Sequence, residues 1–298
     1  ADFIPQIKKK YSLTQEDFGR AVFLILTGLF KKVVISDFIS VNFVDRVFDN
    51  PLSYSGFENL MGIYGYAIQI YCDFSGYSDM AIGIALLLGF HLPVNFASPY
   101  LAFSITEFWK RWHISLSTWL KDYLYIPLGG NRLGKVRTYI NLLLTMLIGG
   151  LWHGAAFKFI VWGGMHGGAL AVERGWKDKF NWKMPRFLGW LLTFHFIAAC
   201  WILFRAADFE AISNMFSQIA YHFNWQQIPV YMSSYYAVFL LIVLGFAAHC
   251  IPMNFEKKVE LSLGKLHISF LSVVTVIMIV IIFQFKSADI QPFIYFQF

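Results

Sequence analysis

Three histidines, His113, His153 and His166, fall within the stretch 105–168, among aromatics, glycines and long apolar runs. An imidazole changes charge near neutral pH, so it can take a proton from a hydroxyl, pass one on, or hold a metal. His153, in GGLWHGAA, is crowded by Gly149, Gly150 and Gly154, which remove side-chain bulk and let a substrate or another backbone approach. At about 1.5 Å per helical residue it lies roughly 24 Å from the basic turn that ends at Arg137. A hydrogen-bonded core histidine is the plain alternative; depth, flanking glycines and the lack of a metal-ligand set favour a general base.

His113, in KRWHISLS, stands 40 residues before His153 and needs tertiary folding to meet it. If it does, two neutral imidazoles facing one cavity serve as base and as orienter or acid. An interfacial histidine on an amphipathic helix fits the pattern equally well. His166, in WGGMHGG, reads as structural or cavity-lining on the helix returning from Gly154. Trp112 and Trp152 adjoin two of these histidines and, with Asp122 and His166, are candidates to line a substrate tunnel. Asp122 and Glu107 could each orient a histidine, although solvated helix charges are the simpler role. No HExxH occurs, and the spacing of His153 and His166 is not that of a helical metal pair, so no metal is expected. There is no GxSxG elbow, Ser115 and Ser117 near His113 notwithstanding, and LGGNRLGK fails the phosphate-loop pattern.

The elements that must position these groups belong to a bilayer. The chain of 298 residues is 57% hydrophobic and 14% charged, against about 25% charged for a soluble domain. The apolar runs are long and continuous rather than alternating, which predicts an all-α polytopic membrane protein and not a barrel. The net charge of +6 comes from short basic clusters flanking apolar runs, the signature of cytoplasmic loops and not of a nucleic-acid surface. Cys72, Cys200 and Cys250 have no CxxC spacing and read as buried, inert thiols.

Candidate spans are 138–152, 155–172, 187–204, 234–251 and 268–285. Basic loops at 131–137, 173–186 (Arg174, Lys177, Lys179, Lys183, Arg186) and 256–267 are cytoplasmic by the positive-inside rule, and 205–233 faces out. Upstream, Ser12 or Thr14 is expected to cap a helix over 21–36, with Lys31 and Lys32 tilting or stopping it. Two runs in 58–92 read as separate, with Asp73, Gly76 and Asp79 in a bent or unwound link. Counted so, they give the wrong crossing parity unless one is re-entrant. Residues 104–128 alternate aromatics with charges, as an amphipathic or re-entrant helix does. The opening ADFIPQIKKKYSLTQEDFG shows no signal-peptide pattern and reads as an interior segment, so an N-terminally truncated chain is expected.

DFSGYSDMAIG (73–83), residues 105–131, GGLWHGAAFKFIVWG (149–163) and PFIYFQF (292–298) resemble the membrane-bound O-acyltransferase family, in its alginate O-acetyltransferase-like branch related to the D-alanine exporter of teichoic acid synthesis. The resemblance implies one membrane domain over 1–298, lacking the family's N-terminal helices. It also implies a ring of helices around a thinned centre or tunnel, in a multi-pass protein of the cytoplasmic (inner) membrane. It assigns catalysis to His153 and places His113 in the same tunnel. No bound cofactor is expected; an acyl donor such as acetyl-CoA or an acyl carrier would arrive from the cytoplasm as substrate. The acceptor would be a cell-envelope or exported polysaccharide, reached directly or through a periplasmic or extracellular acetyltransferase. The rival functions are a transporter or channel with a histidine proton relay, against which no inverted repeat is visible, and a non-catalytic scaffold that recruits a soluble acetyltransferase.

Overall fold

The computed structural model describes residues 4–8, 10–180, 184–285, 292 and 293. Lys9, Lys183 and all of PFIYFQF except Pro292 and Phe293 lie outside them. Every regular element among the described residues is helical. The main helices are α1 (Gln15–Leu29), α2 (Gly56–Leu87), α3 (Ile105–Arg111), α4 (Ile114–Leu120), α5 (Lys135–His153), α6 (Phe157–Lys179), α7 (Arg186–Arg205), α8 (Phe209–Tyr221), α9 (Tyr236–His249), α10 (Met253–Gly264) and α11 (Ile268–Gln284). By length and composition, one helix among the described residues, α7, is on its own apolar enough to cross a membrane. Contacts group the chain into two compact units, residues 1–43, 68–95 and 235–297, and residues 44–67 and 96–234.

In the first unit Thr14 caps α1, its hydroxyl accepting from the amide of Asp17. Lys31 and Lys32 do not end the helix; it widens into π-type turns over Phe30–Asp37 and runs on. The reason is tertiary. Lys31 Nζ meets Asp79 Oδ2 at 2.7 Å, and Lys32 Nζ is held by Asp37 at 2.8 Å and by Asp73. An isolated charge in an apolar interior is costly, whereas a paired and hydrogen-bonded one is tolerated. The backbones can close because both helices present glycine: a Cβ on Gly28 would fall 2.5 Å from the carbonyl oxygen of Gly76.

The expected break at Asp73–Asp79 is therefore corrected. Residues 56–87 form one helix of 32 residues, about 48 Å long, so the two apolar runs are not separate elements. The expected loop 256–267 is corrected likewise: most of it is α10, packed on α1, where Arg20 pairs with Glu260 at 2.9 Å. Cys250 is exposed rather than buried.

In the second unit α5 and α6 form a hairpin, joined at Gly154–Ala156. Their contact is glycine-lined: a Cβ on Gly150 would land on the carbonyl oxygen of Phe159, and one on Gly163 on that of Met146. Such close backbone approach is how helices associate in lipid, where there is no hydrophobic drive between them. The basic ends of the hairpin meet, with Lys135 Nζ 3.9 Å from Asp178. The turn before α5 needs Gly129 and Gly130 at φ +106° and +55°. Buried Asn141 fastens that turn by donating to the carbonyls of Leu128 and Gly130 at 3.1 and 3.0 Å. Residues 105–120 are two seven-residue helices rather than a single amphipathic one.

Candidate functional site

The site grows from the α5–α6 hairpin. His153 is the last residue of α5, and the turn that follows folds α6 back beside it. Its ring stands edge-on to Trp152, Trp162 and Phe204 at 5.1, 5.3 and 5.2 Å between centroids. Trp162 and His166 are four residues apart on α6, hence on one face, with their rings 4.6 Å apart. A single indole thus separates the imidazoles of His153 and His166.

His166 is fully buried. The indole N–H of Trp109, on α3, donates to its Nδ1 at 3.2 Å. An indole N–H only donates, so Nδ1 of the neutral ring is the acceptor and Nε2 carries the hydrogen. Phe108 stacks on the ring at 6.4 Å and Phe196 stands edge-on at 5.6 Å.

His113 joins α3 to α4 in the left-handed region, φ 44° and ψ 58°. Histidine tolerates that conformation better than bulky or β-branched residues do, and such outliers gather at functional sites. The imidazole lies within electrostatic reach of His153. Its Nδ1 lies 3.4 Å from Ser115 Oγ. α3 is held at its start by its N-cap Ser104, which accepts from the Glu107 amide, and by Glu107, whose carboxylate accepts from the Phe103 amide just before the cap. A second tie comes from Glu173, just past the apolar span 155–172, which accepts from the Thr106 amide at 3.0 Å. Burial alone would raise its pKa, but the Lys177 ammonium and that amide hold it below the usual carboxylate range.

The remaining candidates are dispersed. Trp112 is buried in an aromatic stack with Trp201 and Phe108, at 4.9 and 5.7 Å. Trp152 is 56% exposed beside His153. Asp122 is exposed and pairs with its neighbour Lys121 at 3.3 Å. No metal-holding group of three or more His, Cys, Asp or Glu occurs among the described residues. Trp109 and Trp162 were missed in the sequence. The spacing of Trp162 and His166 was there to find; the Trp109 contact, 57 residues away, had no local signal.

A cleft of about 380 Å³ opens between α3, α4, α5 and α6. Trp109, Leu120, Leu142 and Met146 line it, together with Lys110 and Lys121. Leu120 lies over Gly149, 3.3 Å from where a Cβ would be, one turn before His153. None of the three histidines lines the cleft; Trp109, which bonds His166, is the residue its wall shares with them.

Residues 1–207 match MBOAT, the membrane-bound O-acyltransferase family. The chain belongs to that family. Among its relatives, the peptidoglycan O-acetyltransferase of Helicobacter pylori is 48% identical over 216 residues, which is 71% of this chain and 41% of that protein. The probable alginate O-acetylase AlgI of Pseudomonas putida is 37% identical over 317 residues, covering 100% of this chain and 64% of the relative. The teichoic acid D-alanyltransferase of Bacillus subtilis is 30% identical over 168 residues, 51% of this chain and 42% of that protein. The chain thus spans about two fifths to two thirds of the length of these relatives. Family membership accounts for residues 1–207, which contain all three histidines and the cleft.

Proposed function

We propose that the chain forms the membrane-embedded core of an O-acyltransferase of the bacterial cytoplasmic membrane, acetylating a cell-envelope or exported polysaccharide. The observation that carries this reading is the placement of His153 at the turn end of a glycine-lined hairpin, near His113 and two helical turns beyond Met146 in the wall of a cleft. The acetyl and D-alanyl transferases among its relatives support the acyl class, and two of them name envelope polymers as their object. The basic ends of α5 and α6 mark the cytoplasmic face, and His153 lies toward the opposite one.

In this mechanism a thioester donor, acetyl-CoA or an acyl carrier, enters the cleft, and Lys110 and Lys121 attract its phosphates. His153 takes the proton of the acceptor hydroxyl as that oxygen attacks the thioester carbonyl. The carbon–sulfur bond breaks, an ester forms, and the proton passes to the departing thiolate. His113 assists by positioning or proton transfer. The acceptor is the polysaccharide itself or a periplasmic or extracellular partner that passes the acetyl group on. Around the site we place a ring of helices enclosing a tunnel, made by one domain of the full-length protein.

Cells carrying the full-length protein with His153→Ala are expected to make polymer without the added acetyl mass while the variant still inserts and folds. Unchanged acetylation in that variant contradicts the reading. Acetylation that persists even when both His113 and His153 are replaced would support a scaffold instead.

A further inference from the structure

Two buried hydrogen-bond donors beside His153 have no acceptor among the described residues: Nε2 of His166 and Nε1 of Trp162. Both residues are at most 1% exposed. A buried donor left unmatched costs about 1–3 kcal/mol, and buried polar groups are paired in the great majority of proteins. Here two of them lie one helical turn apart on α6, with their rings 4.6 Å from each other. Neither is free to become an acceptor. Indole nitrogen only donates, and the Trp109 N–H occupies Nδ1 of His166, which leaves the hydrogen on Nε2.

The geometry points to an oxyanion site: the Nε2–H of His166 and the Nε1–H of Trp162 receive the acyl carbonyl oxygen as charge develops on it. This inference rests on the acyl-transfer reading and adds the groups that stabilise its intermediate. When the acceptor oxygen attacks, the carbonyl π electrons move onto oxygen and the hydroxyl proton goes to His153. When the intermediate collapses, the carbonyl re-forms, the carbon–sulfur bond breaks and the proton leaves with the thiolate. The two donors keep their hydrogens throughout. They are fixed in an aromatic enclosure of Phe108, Phe196 and Phe204, where water does not compete, and preorganised donors in such surroundings act most strongly on developing charge. The cleft wall supplies the alignment, since Trp109 both lines the cleft and sets the hydrogen on His166. Trp109 is accordingly a positioning residue.

The test is acyl-transfer kinetics of the full-length protein in membrane vesicles, with acetyl-CoA as donor and the envelope polymer as acceptor. Trp162→Phe keeps the ring packing and removes one donor. It is expected to lower kcat on the order of 100-fold, the usual loss for one such donor, with KM for acetyl-CoA within about three-fold and the unfolding midpoint unchanged. His166→Leu should lose as much, and His166→Gln, which restores an N–H at the same reach, should recover part of it. Wild-type kcat in Trp162→Phe, a loss that only tracks a lowered unfolding midpoint, or a His166→Gln variant as inactive as His166→Leu overturns the inference. The underlying reading fails separately: a fully active His153→Ala refutes the base while leaving a donor effect measurable in Trp162→Phe.

Discussion

Both compact units bury ionisable groups among apolar helices, but they treat them in opposite ways. Around Lys31 and Lys32 each ammonium is matched by carboxylate, through Asp79, Asp37 and Asp73. Around His153 the groups are imidazoles and indoles packed ring against ring, and two of their donors have no acceptor among the described residues. Full pairing makes a joint between helices. Incomplete pairing in an aromatic enclosure is what the proposed acyl-transfer site rests on. Burial of a titratable group in a membrane protein is therefore not by itself a sign of catalysis; its partners decide.

The ion pairs of the first unit should be the most sensitive to substitution. Asp73→Leu leaves Lys32 with one carboxylate in place of two, and Lys32→Ala leaves two carboxylates without their cation. Removing one partner of a buried pair costs about 3–5 kcal/mol, so these variants should unfold at clearly lower denaturant or fail to accumulate, by fluorescence-detected unfolding in detergent. His153→Ala should change stability far less while losing activity. Next in size, Gly150→Ala drives a methyl group onto the Phe159 carbonyl and should cost about 1–3 kcal/mol. It should also lower activity, because the hairpin that holds His153 is forced apart. Smaller still, Trp109→Phe deletes one hydrogen bond to His166, with an expected loss of about 1 kcal/mol. Its effect on kcat should exceed what that loss of stability explains.

The smallest effect separates the site from its support. Glu173 has its pKa held below the ordinary carboxylate value of 4.5, so its contribution is complete above that value and is lost as pH falls through the lower folded one. Glu173→Gln should lower the unfolding midpoint slightly at neutral pH, where the ionised carboxylate contributes in full, and should flatten the further loss of stability below about pH 4.5, where the wild type loses that contribution too; unfolding midpoints across pH will show both.

What could be read in the sequence follows the same division. The helices α5, α6, α7, α9 and α11 were legible as apolar runs; of these, α7 alone is by itself long and apolar enough to cross a membrane. The hairpin turn at Gly154 and the proximity of His153 to the returning helix were legible too. The run through Asp73, Gly76 and Asp79 looked like a break because two acids and a glycine are locally unfavourable in an apolar helix. The lysines that compensate them are more than forty residues away. The charges of 256–267 suggested a loop for the same reason, although Arg20 and the flat face at Gly19 make that stretch a packed helix. Residues 105–120 have helical periodicity on both sides of His113, and nothing local announces its left-handed turn. Trp109 and Trp162 read as ordinary core aromatics because what distinguishes them is the direction of an N–H.

The proposed role of His153 is to move an acyl group from a donor on one face to an acceptor on the other. It is tested most directly in vesicles reconstituted with the full-length protein, labelled acetyl-CoA on the side of the Lys135 and Lys179 ends, and acceptor on the opposite side. Label should appear in the acceptor with the wild type and fall to background with His153→Ala. Equal labelling by the two proteins would contradict the claim.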